Sequence, residues 1–503
     1  MPAKKSRSVL YQVQPRVPFE ASFPLSILDG LAPRVYNRYL YIWQTKDVDD
    51  GQSLEESRSS LVHRLRVALE SLLQFPDPGV FALPELLGSV YKNKPDGRLT
   101  LKVTKSSSIP FLVSYRDDVD FGSLQPSSNF PGSSLDVAIF ATGMKVPATR
   151  MPHRVSALQL TFIRGGFVIC ISKHHSVIDG NAHALFIKHW FSRARAIATG
   201  EEVPVPSGPE CDEIHERCVL SSTRPVRPLE IEDWVVRPRM TPTIFGANAL
   251  EVPFKSVMGY IPFIWFRPTG VILHFDRDAV KRLKSATEAH GSGRISTNDA
   301  IGALIWRCIT RARMGPNFTG TRRSCFCTIA DSRTRIEPKL PAGYFGNGIF
   351  TVPTYMPISE LVAADPQNQG KTAAAIRQSL TTKSSNDYIR NILQQAGAQR
   401  RVTDFKHDVT VYSGHDVVLT SWERFFQSTD DLSVGNGVFR AMRLPAGDSF
   451  DGLIVILPSY GMRDMTGNES YRGGIEVMVD LNAAHLDKLV LDAELRQFVT
   501  SIH

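Results

Sequence analysis

The segment from Val155 to Ile197 constrains this chain more than any other. Val155 to Phe162 alternates in part between apolar and polar residues, Arg164-Gly165-Gly166 makes a turn, and Phe167 to Ser172 is a short run rich in Val and Ile. Two such runs around a glycine turn predict a β-hairpin whose second strand is buried. Asn181 to Ile197 follows, with Leu185, Phe186, Trp190, Phe191 and Ala194 on or near one face, and this spacing predicts a helix. A buried strand that passes straight into a helix places the chain in the α/β class.

The rest of the chain extends that reading. Leu61, Leu65, Leu69, Leu72 and Leu73 predict an amphipathic helix laid on a sheet, stopped by Pro76-Asp77-Pro78-Gly79. From about Thr199 to Pro253 prolines recur, charges mix and periodicity is lost, which reads as a crossover between two domains. Order resumes with a strand at Val271–Phe275, a helix around Ala279–Ala286, and a helix from Asn298 to Arg311 capped by Thr297. A strand at Gly474–Val479 and a final helix from about Ala484 to Val499 close the chain. The division expected is 1–200, a crossover at 201–255, and 256–503. The 503 residues leave room for two domains, and 42% apolar against 21% charged residues is ordinary globular composition.

Charge and cysteine usage exclude several classes. The net charge is +8, from 58 Lys and Arg against 50 Asp and Glu, which suits an anionic ligand and equally suits a bland surface. Beyond Lys4-Lys5-Ser6-Arg7 there is no basic block interleaved with aromatics, so nucleic acid is not an expected partner. No stretch approaches the ~18 apolar residues of a membrane span. The six cysteines are scattered, with no Cys-x-x-Cys spacing, so no metal site is expected and the compartment is read as cytoplasmic. Cys325 and Cys327 are alternate residues of an expected strand and face one apolar layer.

The chemistry concentrates in His174-His175-Ser176-Val177-Ile178-Asp179-Gly180, directly after the buried strand and directly before the helix. A histidine there is held by a rigid element yet placed at an edge, and neutral imidazole accepts a proton near neutral pH. Adjacent residues on a strand point to opposite faces, so His174 and His175 do not chelate a metal together. Asp179 either orients the imidazole or pairs with an arginine and braces the loop. Gly180 permits backbone conformations that other residues resist. His183 and His189 read as surface residues of the helix.

His175-x-x-x-Asp179-Gly180 resembles the signature of the BAHD acyltransferases, which use acyl-CoA donors, and it occurs also in condensation domains of peptide synthetases. Further stretches are similar to the BAHD pattern in family order: Arg294-Ile295-Ser296-Thr297-Asn298-Asp299-Ala300, Asp331-Ser332-Arg333-Thr334-Arg335, Gly343-Tyr344-Phe345-Gly346-Asn347, Leu419-Thr420-Ser421-Trp422 and Gly473-Gly474-Ile475-Glu476-Val477. The family's Asp-Phe-Gly-Trp-Gly motif is represented by Asp431-Leu432-Ser433-Val434-Gly435, in which Asp431 and Gly435 match and three residues do not. This departure and the long crossover resemble the fungal branch related to trichothecene O-acetyltransferases.

The resemblance implies two similar mixed-sheet-plus-helix domains of the chloramphenicol-acetyltransferase type, with the active site in a channel between them. It implies acyl transfer, acetyl above all, from acyl-CoA to a hydroxyl of a small secondary metabolite, without an acyl-enzyme. His175 is the expected general base, and Asp179 and Asp431 are grouped with it as catalytic residues. Thr420, Trp422 and Asn298 are alternative donors to the oxyanion. Ser296 and Thr297 lie on the CoA side, and Asp179 pairs with Arg333 or Arg335. Gly180 and Gly435 are structural. A monomer with acyl-CoA as co-substrate and no permanently bound cofactor is expected. The alternatives are N-acyl transfer to an amine, a condensation-type domain using carrier-bound acyl groups, and a non-catalytic binding protein on the same fold.

Overall fold

A computed structural model describes residues 7–45, 53–75, 77–93, 96–125, 130–141, 151–202, 205–220, 234–236, 243–244, 247–248, 269–290, 293–407, 409, 414–426, 428–445, 448–458, 462–463, 469–470 and 474–503. Gly473 of the last family stretch and most of the crossover lie outside these residues.

Two mixed sheets organise the molecule, as the sequence leads one to expect. The first has six strands in the order Arg7–Val13, Ile109–Asp120, Ser156–Arg164, Gly166–His174, Tyr36–Gln44 and Val438–Arg443. The expected hairpin is its centre: Ser156–Arg164 runs antiparallel to Gly166–His174 around Gly165, whose φ of 78° needs a residue without a Cβ. Helices Leu54–Leu72 and Gly180–Thr199 cover one face, where Leu61, Leu65, Leu69, Phe186 and Trp190 meet Phe111, Leu160 and Ile169. The other face is covered by Phe121, Leu124, Phe130, Leu135 and Phe140 over Leu40, Ile42, Val168 and Cys170. Both faces are therefore dry, which is why Gly166–His174 is buried along its whole length.

The second sheet has seven strands in the order Ile349–Pro357, Arg323–Asp331, Val417–Ser421, Leu453–Ile456, Gly474–Leu481, Thr269–Asp276 and Ser501–Ile502. Helix Thr297–Met314 lies at its centre, buried from Asp299 to Thr310 by the sheet and by helices Arg277–Glu288, Gln367–Thr382 and Ala483–Val490. Cys325 and Cys327 do face one layer, with their Sγ atoms 3.7 Å apart. No helix among the described residues is long and apolar enough to cross a membrane.

Two local expectations need correction. Ser296, not Thr297, caps the central helix: its Oγ accepts from the Asp299 amide at 3.2 Å while Asp299 Oδ2 accepts from the Ser296 amide at 2.7 Å, a reciprocal capping box. The final helix is two helices, Ala483–Val490 and Ala493–Phe498. Asp492 caps the second through the amides of Glu494 and Leu495, and so ends the run the periodicity suggests. Strand Val438–Arg443, from the C-terminal half, leaves the second sheet and closes the edge of the first by pairing with Tyr36–Gln44.

Candidate active site

The His175 turn is built by burial of its own middle. Val177 and Ile178 insert into the first core, and their amides bond back to the His174 carbonyl at 3.0 and 3.3 Å. Asp179 then starts the helix Gly180–Thr199 as its N-cap, accepting from the Ala182 amide at 2.9 Å. The two histidines separate as strand geometry demands. His174 is fully enclosed, its Nε2 3.3 Å from His153 Nδ1, and burial together with His153 pushes its pKa down to about 3. His175 keeps part of its surface open. Its amide donates to the Val35 carbonyl at 2.9 Å and its own carbonyl accepts from Asn347 Nδ2 at 2.8 Å, so its backbone is gripped from both sides. Enclosure lowers its pKa, Lys173 lowers it further, and its own carbonyl, Asp179 and Asn347 oppose them, leaving the ring neutral at ordinary pH.

Asp179 is a bracing residue in this geometry. Arg333 reaches it with two parallel bonds, Nη1 to Oδ2 at 2.9 Å and Nη2 to Oδ1 at 3.0 Å, and the Gly348 amide adds a fourth at 2.9 Å. Burial would raise the carboxyl's pKa, but Arg333 and the amides outweigh it and hold the group below the usual carboxylate range. Arg333 also donates to the carbonyls of Tyr344 and Gly346, at 3.0 and 3.1 Å. Of the two candidate arginines it is thus Arg333 that ties the motif helix to the second half, while Arg335 is exposed. Gly180 is required for space, not for an unusual φ: a Cβ there would stand 2.2 Å from the Phe425 ring.

The other sequence-derived residues fall into two groups. Asn298 and Ser421, on the neighbouring helix start and strand end, are joined by a bond of 3.3 Å from Asn298 Nδ2 to Ser421 Oγ. Thr420 is half-buried beside them, and Trp422 turns its ring toward Tyr39 of the first sheet, with centroids 5.0 Å apart. Trp422 also stacks on Phe425, which covers Gly180, so this cluster adjoins the His175 turn. Ser296 and Thr297 share that helix start, although the Ser296 hydroxyl is already occupied in capping. Asp431 and Gly435 lie elsewhere. Their loop packs on the last turn of the motif helix, where Arg195 donates to the Asp430 carbonyl at 2.6 Å and a Cβ on Gly435 would meet Ala198. At 1.5 Å rise per residue this is about 24 Å along the helix from Asp179. Within that loop Leu432 and Val434 are buried in the first core, and Trp43 Nε1 donates to the Leu432 carbonyl at 3.1 Å.

Several polar residues around His175 escape a reading by sequence. Asp29 is fully buried and accepts from Arg217 at 2.5 Å and from the amide and Nδ2 of Asn347, both at 2.9 Å. Only its position three residues after Ser26, a capping-box spacing, hints at a role. Lys173 is a charge-bearing residue in a strand that is apolar from Phe167 to Ile171, which is a usable signal. Its Nζ donates to the Asp179 carbonyl at 2.6 Å, and burial drives its pKa well below the ordinary lysine range. His183 is not a surface residue: it is fully buried, stacks on Tyr39 with centroids 4.1 Å apart and meets the Tyr41 hydroxyl at 2.8 Å. His189 is partly covered, its ring against Phe81.

Comparison with known proteins matches the chain in two parts. Residues 39–194 match the family model of the trichothecene 3-O-acetyltransferase-like N-terminal domain, and residues 267–496 match that of the Transferase family. The hydroxycinnamoyl-CoA:5-hydroxyanthranilate N-hydroxycinnamoyltransferase of Avena sativa is 26% identical, over 92% of this chain and 93% of its own length. The acyltransferase easC of Emericella nidulans is 21% identical, over 94% of each chain. Among solved structures, F. graminearum TRI101 complexed with coenzyme A and deoxynivalenol superposes with a TM-score of 0.72. It is 18% identical and covers 95% of this chain and 99% of its own.

Proposed function

The chain belongs to the BAHD family of acyl-CoA-dependent acyltransferases, and from that premise we propose that it moves an acetyl group from acetyl-CoA to a hydroxyl of a small secondary metabolite, with His175 as general base. The observation that carries this reading is the division of labour in the motif. Arg333 and two amides occupy the Asp179 carboxylate, so the imidazole of His175, neutral and partly open, is the group left to accept a proton.

The reaction then runs in a ternary complex. His175 Nε2 takes the acceptor's proton as its oxygen attacks the thioester carbonyl. A C–O bond forms and the negative charge moves to the carbonyl oxygen, where fixed donors are commonly worth a few kcal/mol each. Trp422 reaches the turn through Phe425, and Thr420 and Asn298 lie beside it around Ser421; these three are the candidate donors. Collapse breaks the C–S bond, the imidazolium returns its proton to the leaving thiolate, and CoA-SH departs with His175 neutral again. The N-terminus of helix Thr297–Met314 suits a phosphate of CoA.

The Avena sativa relative is named for acyl transfer to nitrogen, so the acceptor screen must include amines. Purified protein is incubated with acetyl-CoA and longer acyl-CoAs, each with alcohol and amine acceptors, and both product and intact protein masses are read. The expectation is an acetyl ester product and no acyl adduct on the protein. Products from amines alone, or a stable acyl-protein mass on the reaction path, would overturn the proposal.

A further inference from the structure

The Asn347 side chain has only one possible orientation. Its Nδ2 faces two oxygen acceptors, the Asp29 carboxylate at 2.9 Å and the His175 carbonyl at 2.8 Å. Exchanging the amide's nitrogen and oxygen would set oxygen against oxygen twice, so the assignment follows from the partners. With Nδ2 fixed, Oδ1 is fixed too. It is buried without a hydrogen-bond partner, and so is Nδ1 of His175. The bond from Nδ2 to the His175 carbonyl holds the Asn347 amide against this residue, and Asn347 and that carbonyl both raise the pKa of the ring, as acceptors of its hydrogen do. Two buried polar atoms that both lack a partner are costly unless they satisfy each other. An amide oxygen can only accept, so the ring nitrogen opposite it must carry the hydrogen.

We propose that Asn347 is a positioning residue that sets the tautomer of His175: the proton is kept on Nδ1, between Asn347 Oδ1 and the residue's own carbonyl, and Nε2 is left with the lone pair that abstracts the acceptor's proton. The network behind it keeps the amide in place. Asp29 Oδ1 takes the Asn347 amide as well as Nδ2, and Asp29 Oδ2 takes Arg217 Nη1 and the Ser26 amide at 2.8 Å. Arg217 Nη2 bonds the Phe345 carbonyl at 2.6 Å, two residues before Asn347. Three distant segments, at 26–29, at 217 and at 345–347, thus converge behind one ring, each of their polar groups away from water. That explains why a charged pair is enclosed here at all: it fixes the direction of an amide.

This inference rests on His175 being the base, and the test separates the two claims. The full-length protein is labelled with ¹⁵N in its histidine rings, and the His175 signals are found by difference from His175→Ala. The expected wild-type spectrum at neutral pH shows the hydrogen on Nδ1. In Asn347→Ala the two tautomers should mix, and kcat should fall about 10–100-fold, the range typical of partners that orient a functional histidine, with KM for acyl-CoA unchanged. A wild-type His175 protonated on Nε2 would overturn the proposal, and that spectrum decides even if Asn347→Ala does not fold. A variant with lower kcat and an unaltered tautomer would also overturn it, since Asn347 would then be structural only. Normal turnover by His175→Ala would instead remove the base assignment and leave the tautomer measured.

Discussion

Asp179 accepts four hydrogen bonds with no contact to solvent, and Arg333 supplies two of them. An amide in its place offers one acceptor oxygen and leaves the buried guanidinium only the more exposed Asp331, at 3.1 Å, as a counter-charge. Asp179→Asn is therefore expected to lower the unfolding free energy by about 3–5 kcal/mol, together with the rate. Urea denaturation reads the loss, and Arg335→Ala, at an exposed position, is the control expected within about 0.5 kcal/mol of wild type. A stable Asp179→Asn with only a shifted pH–rate profile would mean that Asp179 acts on His175 directly. The family resemblance makes an arginine partner for Asp179 legible. The choice between Arg333 and Arg335 is not legible, since it depends on the turn after the strand ends at Asp331. Asp29 is invisible for a related reason: its partners are 188 and 318 residues away along the chain.

Helices and strands were more readable than their partners. The hairpin 156–174 and the helix after it follow from local periodicity, which records burial. Periodicity says nothing about which strand a strand joins, so the passage of Val438–Arg443 into the first sheet is found only in three dimensions. The same passage explains the loop before it. The chain must cross to the first sheet by residue 438, and Leu432 and Val434 are carried into that core on the way. Leu432→Ala should consequently cost about 2–5 kcal/mol of stability, while single-turnover rates at saturating acyl-CoA stay within a few-fold of wild type. A Leu432→Ala protein that melts normally yet loses the chemical step would place this loop in the reaction centre and refute the structural account of it.

The whole molecule buries many imidazoles in neutral form. Burial lowers the pKa of His174 to about 3 and of His189 to about 4, and lowers those of His175 and His183. An unfolded chain protonates each near pH 6.5, so below that pH the unfolded state binds more protons and stability falls. Burial lowers His485 as well. Three groups work the other way. His215 would be lowered by burial, but Glu85 at 2.7 Å outweighs it and raises the pKa, burial pushes Asp480 up to about 7, and burial raises Asp448. With five groups against three, the urea midpoint should decline as pH drops from about 6.5 toward 4.5. A midpoint that is flat or rises across that window would contradict the protonation states assigned to these histidines.

The central claim is that His175 alone takes the acceptor's proton, and a single-turnover measurement tests it most directly. His175→Ala is mixed at saturating acyl-CoA with acceptor, and acyl-CoA affinity and melting temperature are measured on the same preparation, with His174→Ala alongside. The account predicts a chemical step slowed about 10²–10⁴-fold in His175→Ala, with binding and folding nearly intact. His174→Ala should be affected far less in the chemical step. A His175→Ala protein that binds donor normally and still transfers the acyl group at close to the wild-type rate would contradict it.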